Sequence, residues 1–310
     1  MDSLKSFGTN LQGWYNSVNK RVEVGTALYE YPTNAPAAFK SQIHILSPMI
    51  DIDTKTHDDI ATFLTKVYVR MREANVPVCV VYGDEQLIAL MWKLICEDPD
   101  NYLWLFPFPG DFHFLIHITH ALYRLFPEIL IDLATVVKND KIKIDFLSKD
   151  WYLQEDHMFI VIEAITMWLQ SIKNFPKNKT VASILQDVKN NLTVYNLLYF
   201  YFHYGNFYFN LRQAIRCGQS KIVNDAWTYS WPLFHVTNKY HYAKLSVISS
   251  YCTNFAHLAI QEAINDRFCN MKGIAGHCIA PDMTSEKVCN SFRTVANFKF
   301  ATVILFWRQY

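Results

Sequence analysis

The sequence predicts an α/β fold that carries a large, mostly helical block, and three observations point there. The runs "VPVCVVYGDEQ" and "YLWLFPF" have the β-branched and aromatic composition of buried strands. Segments with helical spacing of apolar residues precede, separate and follow them. From about residue 128 to 270 that helical spacing continues without a clear strand. Alternation of strand and helix favours parallel strands joined by right-handed crossovers.

Taken in order, residues 1–40 hold few apolar periodicities and a Pro-containing connector, "YEYPTNAPAAFK". "QIHIL" (42–46) alternates as a strand does. Asp58 and Asp59 then occupy the first turn of a helix expected over about 57–74, where acids favour the helix dipole. After the strand at "VPVCVVYG" comes "QLIALMWKLICE", a short amphipathic helix that stops before Asp98-Pro99. "YLWLFPF" is the next strand, and "DFHFLIHITHALYRLF" begins a helix. "FIVIEAITMWLQSI", "TVASILQDVKNNLTVYNLLYFYFHYG", "NLRQAIRCG" and "YHYAKLSVISSYCTNFAHLAIQEAIND" make up the helical block. "GIAGHCIAPDMTSEKVCNSFRTVA" offers a Gly-rich turn, a Pro-Asp and a helix with Glu286 and Asn290 one turn apart on one face. The expected organisation is an irregular segment over 1–40, an α/β core over 41–127, a helical insertion over 128–270 and a return to the core over 271–310.

Composition narrows the class. With 51% hydrophobic and 18% charged residues the chain can bury a sizeable core, which excludes wholesale disorder. A net charge of +1 gives no global field for nucleic acid, so phosphate binding needs a local patch. Seven scattered Cys without CxxC spacing read as reduced thiols of an intracellular protein. The N-terminus lacks the apolar core of a secretory signal, and no apolar run approaches the ~18 residues of a membrane span. "FKFATVILFWRQY" ends within a hydrophobic run, which leads us to expect a piece of a longer protein.

Candidate chemistry centres on the two Gly-Asp pairs. Ligands of open α/β sheets meet the carboxyl ends of the strands, so Asp84 and Asp111 can face one rim. Hard divalent ions take one or two carboxylates plus phosphate oxygens, which makes Asp84 and Glu286 candidate ligands. The plainer alternative is turn chemistry at Asp84 and a solvated helix residue at Glu286. His113, His117 and His120 share one helical face without an HExxH pattern, and satisfied core imidazoles explain them as well. Cys252, His257, Cys269, His277, Cys278 and Cys289 are irregularly spaced, so zinc is not expected. "LLYFYFHYGNFYFNL" could stack bases, although packing inside a helical block explains it more simply.

The ordered set "VYGDEQ", "PFPGDFHF", "YHYAKL" and "GIAGHCIAPDMTSEKVCN" resembles a domain of unknown function in invertebrate and fungal transposable-element proteins, over about residues 40–295. The first two segments are similar in spacing to Mutator-like transposases, whose catalytic core is RNase H-like. The resemblance implies an RNase H-like sheet with flanking helices and a helical insertion before the last acid. It implies Asp84 as the second acid, Glu286 as the third and Asp51 as the candidate first acid, with Asp53 beside it. Asp111 and His113 would stand near the C/D-x-x-H element as further metal ligands. The ancestral chemistry would be Mg²⁺- or Mn²⁺-dependent DNA strand cleavage and transfer, in the nucleus if the chain acts on DNA. Only "QIHIL" precedes the first long helix, so a degenerate or truncated core of weak or no activity is expected. The alternative is a non-catalytic DNA- or protein-interaction remnant using the helical block.

Overall fold

The computed structural model describes residues 56–73, 75–133, 151–172, 179–268 and 276–283. The expected strand at 42–46, Asp51, Asp53, Glu286 and the helix expected beyond 283 lie outside the described residues. The chain divides into two compact units, with boundaries after residues 117 and 212.

The unit built from described residues 56–117 and 213–283 contains the sheet. Helix α1 spans His57–Glu73, with Asp58 and Asp59 in its first turn as anticipated. Strand β1 (Cys79–Gly83) leads through Asp84 into α2 (Glu85–Glu97). A 3₁₀ turn (Pro99–Tyr102) precedes β2 (Leu105–Pro109), and α3 (Asp111–Leu125) follows. The second strand therefore starts later than "YLWLFPF" suggests. Pro99 starts the turn, and Trp104 Nε1 donates to the Asn101 carbonyl at 2.9 Å, so Tyr102 to Trp104 stay in the turn region.

β1 and β2 pair in parallel, with Val81 opposite Pro107 and Tyr82 opposite Phe108. Period-two alternation gives the sheet two buried faces. Cys79, Val81 and Leu105 pack against Ile60, Phe63, Leu64 and Val67 of α1 and Met91 and Leu94 of α2. Each such aliphatic or aromatic side chain contributes about 1.5–3 kcal/mol when fully buried. Val80, Tyr82, Phe106 and Phe108 meet Ile248 and Cys252 of α9 (Tyr240–Phe255) and Ile260 and Ile264 of α10 (Leu258–Asn265). Helices thus cover both faces, as parallel sheets require. The helix preceding α9, α8, spans Ser220–Val236 and stacks Trp227 on Phe114 of α3 with ring centroids 3.8 Å apart.

Three helix ends in this unit close in the same way. Asn75, Gly218 and Asn238 have φ of 55°, 67° and 59°. Each is followed by an N–H bonded back to the last turn: Val76 to Met71, Gln219 to Ala214 and Lys239 to Phe234. Only Gly, and among the rest chiefly Asn, enters this left-handed region cheaply.

In the other unit the described residues between 118 and 212 form helices and the short links between them. Its π turn Glu128–Leu133 is followed by α4 (Trp151–Ser171), α5 (Val181–Val188) and α6 (Leu192–Phe200). Thr180 and Asn191 cap α5 and α6 through the N–H groups of Ser183 and Val194. A second π turn, Tyr201–Gly205, joins α6 to α7 (Asn206–Arg216), whose last turn belongs to the sheet-bearing unit. A Cβ on Gly205 would stand 3.2 Å from Ile162, so the missing side chain lets α4 approach closely. Inside, Trp151 Nε1 donates to Thr119 Oγ1, Thr119 to Tyr208 Oη, and Tyr208 to Glu155 Oε1. Arg212 Nε closes the chain on Glu155 at 2.8 Å. The helical reading of the block thus holds across its described residues. Among the described residues no helix is long and apolar enough to cross a membrane.

Candidate functional site at the carboxyl end of the sheet

Both strands end on Gly-Asp, and the two aspartates do different work. Asp84 is the N-cap of α2, and its Oδ1 accepts the Leu87 N–H at 2.8 Å. Glu85 beside it pairs with His241 Nδ1 of α9 at 3.1 Å.

Asp111, at the first position of α3, turns inward and is fully buried. Its Oδ2 accepts Arg267 Nε at 2.6 Å, and its Oδ1 accepts Trp227 Nε1 at 2.8 Å and the other Arg267 arm at 3.2 Å. Arg267 is equally buried, donates to the Ile264 carbonyl at 2.7 Å and lies over the rings of Phe268 and Phe108. A buried carboxylate matched by three donors is a paired structural charge.

The cap position of α3 falls to Gly110, which has no side chain; its carbonyl accepts the first helical bond from Phe114. The missing acceptor comes from Asp282, within the helical residues 281–283. Asp282 Oδ1 accepts the Phe112 N–H at 3.1 Å, and Oδ2 accepts the His113 N–H at 3.0 Å. These are the N–H groups that a local cap residue would satisfy. Oδ2 also lies 3.0 Å from His113 Nδ1, with the ring N–H donating to the carboxylate. A Cβ on Gly110 would stand 2.1 Å from Asp282 Oδ2, so the glycine makes room for this distant cap.

Tyr242 of α9 completes the rim. Burial, and then the charges of Asp84, Asp282 and Glu85, hold its hydroxyl well above the usual phenol range. His117 stacks on Tyr242 with centroids 3.8 Å apart, and Lys239 Nζ lies 3.0 Å from His117 Nδ1.

Asp84, Asp111, His113 and Asp282 therefore gather at the carboxyl end of the sheet. The acids present do not fit a divalent ion by themselves. Asp84 caps α2, Asp111 is matched by Arg267 and Trp227, and Asp282 caps α3. Among the described residues no group of three His, Cys, Asp or Glu side chains is arranged to hold a metal ion. Asp51 and Glu286, the other expected catalytic acids, lie outside the described residues.

Comparison with protein-family models, curated proteins and solved structures finds no match.

Sequence reasoning placed Asp84, Asp111 and His113 at one rim, and the structure brings all three there. It missed Asp282, Arg267 and Tyr242. The signal for Asp282 was Pro281-Asp282, a helix-starting pair, but its partner lies on another element. His120 of the expected histidine face falls in the helical unit, whereas His113 and His117 belong to the sheet-bearing one.

Proposed function

We propose that the chain is a degenerate RNase H-like transposase core, transposon-derived, whose ancestral reaction was DDE-type, metal-dependent DNA strand cleavage and transfer. One observation carries the reading: an acid from the end of the described chain, Asp282, meets the carboxyl ends of two adjacent parallel strands after the helical block. The order of elements supports it too, since strand, helix, strand and helix succeed one another before that block. The same side chains argue for degeneracy. Each aspartate of the rim is engaged in holding a helix or matching a buried arginine. Magnesium or manganese would need oxygen donors from outside the described residues, and no step is assigned to either ion. DNA remains the partner this ancestry proposes, with the nucleus as the corresponding location.

The test is calorimetric titration of Mn²⁺ into the full chain and its Asp84→Ala variant, with nicking of supercoiled DNA assayed in parallel. Degeneracy predicts no stoichiometric Mn²⁺ uptake that depends on Asp84, and no Mn²⁺-dependent nicking by either protein. Uptake of one or two ions together with nicking, both lost in Asp84→Ala, would show a working nuclease instead.

A further inference from the structure

The segment that delivers Asp282 is hydrogen-bonded to the end of α7. Cys278 donates its backbone N–H to the carbonyl of Arg216 at 2.9 Å, and Arg216 Nε returns a bond to the Gly276 carbonyl at 3.1 Å. Cys217 follows Arg216 directly, at the end of α7, where Gly218 turns the chain away. An amide bonded to the carbonyl of the residue before Cys217 sets the two cysteine α-carbons about 5–7 Å apart. Disulfides span about 4.4–6.8 Å between α-carbons. Both side chains are buried, and neither is bonded to another cysteine. Burial and then the neighbouring Cys217 push the Cys278 thiol up to about 11.

We propose that Cys217 and Cys278 form a reversible disulfide that tethers the Asp282 segment to the end of α7, and so governs how firmly the α3 cap and His113 are held. The oxidant is a small disulfide such as glutathione disulfide. One cysteine thiolate attacks it and expels a glutathione thiolate, giving a mixed disulfide. The second cysteine then displaces the other glutathione. Two protein thiols are oxidised to one Sγ–Sγ bond, and one glutathione disulfide is reduced to two thiols, with the two cysteine protons passing to them. Little thiolate is present at neutral pH, so the exchange is slow and passes through local opening of the segment. The proposal stands on this local geometry and does not depend on the nuclease ancestry.

The full chain, carrying Cys96→Ser to remove an exposed thiol, is equilibrated in glutathione buffers of graded ratio, alkylated and mapped by mass spectrometry. The expected result is a Cys217–Cys278 cross-linked peptide, 2 Da lighter than the thiol pair and reversed by excess glutathione. Hydrogen exchange should slow several-fold at the amides of Phe112 and His113 in the oxidised form, and be unchanged by oxidant in Cys217→Ser. Recovery of both cysteines alkylated at every ratio, or paired with other cysteines, overturns the proposal. So does cross-linking that leaves those two amides unaffected, because the tether would then not reach the cap.

Discussion

Asp282 lies against the bare α-carbon of Gly110 and caps a helix it does not belong to. Strand end, helix start and late segment therefore meet through one carboxylate. Gly110→Ala places a methyl group inside that contact, at 2.1 Å from Oδ2. We expect a loss of about 1–3 kcal/mol in urea unfolding, in the range typical of overpacking. Asp282→Ala should cost about 1–2 kcal/mol as a lost cap. In the double variant the glycine substitution should cost markedly less, since its obstacle is gone. Strict additivity would show that the two residues do not interact.

The Asp111–Arg267 pair makes a second prediction. Removing one partner leaves a fully buried charge unmatched, so Asp111→Leu should lose about 3–5 kcal/mol. Arg267→Met should lose a comparable amount. Combining Asp111→Leu with Arg267→Met should recover part of either loss, because an apolar pair has no charge to desolvate. Chemical denaturation of the four proteins measures the cycle. If Asp111 served a ligand and not the fold, its loss would leave the unfolding midpoint nearly unchanged.

Asp84 offers a sharper separation of roles. As an N-cap, its replacement by Ala should cost about 0.5–2 kcal/mol, while Asp84→Ser should be nearly neutral because serine caps as well. A metal ligand would not be spared by serine in this way. Thermal unfolding of both variants with and without added Mn²⁺ decides the question, since only the loss of a ligand would remove a metal-induced rise in Tm.

The buried network of the helical unit makes stability depend on pH. Burial raises the Glu155 carboxyl above its ordinary range, and Arg212 and Tyr208 only partly oppose that rise. A carboxyl with a raised folded value favours the protonated folded state. Its contribution is therefore fully present below the ordinary glutamate range and is lost as pH rises through the folded value. Glu155→Gln should flatten this part of the pH profile. Urea midpoints measured from about pH 4 to 8, a window that brackets ordinary and moderately raised carboxyl values, supply the comparison. An unchanged slope in the variant would place the titration elsewhere.

Helices were legible because apolar spacing survives any tertiary detail: α1 and α2 fall within a residue or so of where their patterns put them. The start of β2 was less so. "YLW" has strand-like composition, but Pro99 begins a 3₁₀ turn and the Trp104 ring bonds back to Asn101. Leu103 is left 79% exposed, which no buried strand would allow. At the rim, residue type and strand-end position located Asp84 and Asp111 but not their partners. The inward turn of Asp111 depends on Arg267, and the role of Asp282 on a glycine in another element. Such pairings are tertiary facts with no local pattern.

β2 decides on which side the sheet can widen. The Gly110 N–H reaches the Gly83 carbonyl and the Cys79 N–H reaches the Trp104 carbonyl, so even-numbered positions from 104 to 110 point their backbone groups at β1. Pro107 and Pro109 consequently turn their nitrogens toward the opposite margin, where a proline has no hydrogen to give. A neighbour laid along that margin would find no donor at two successive outward positions. β2 is built as a terminus, and any added strand must enter beside Val80 and Tyr82 of β1.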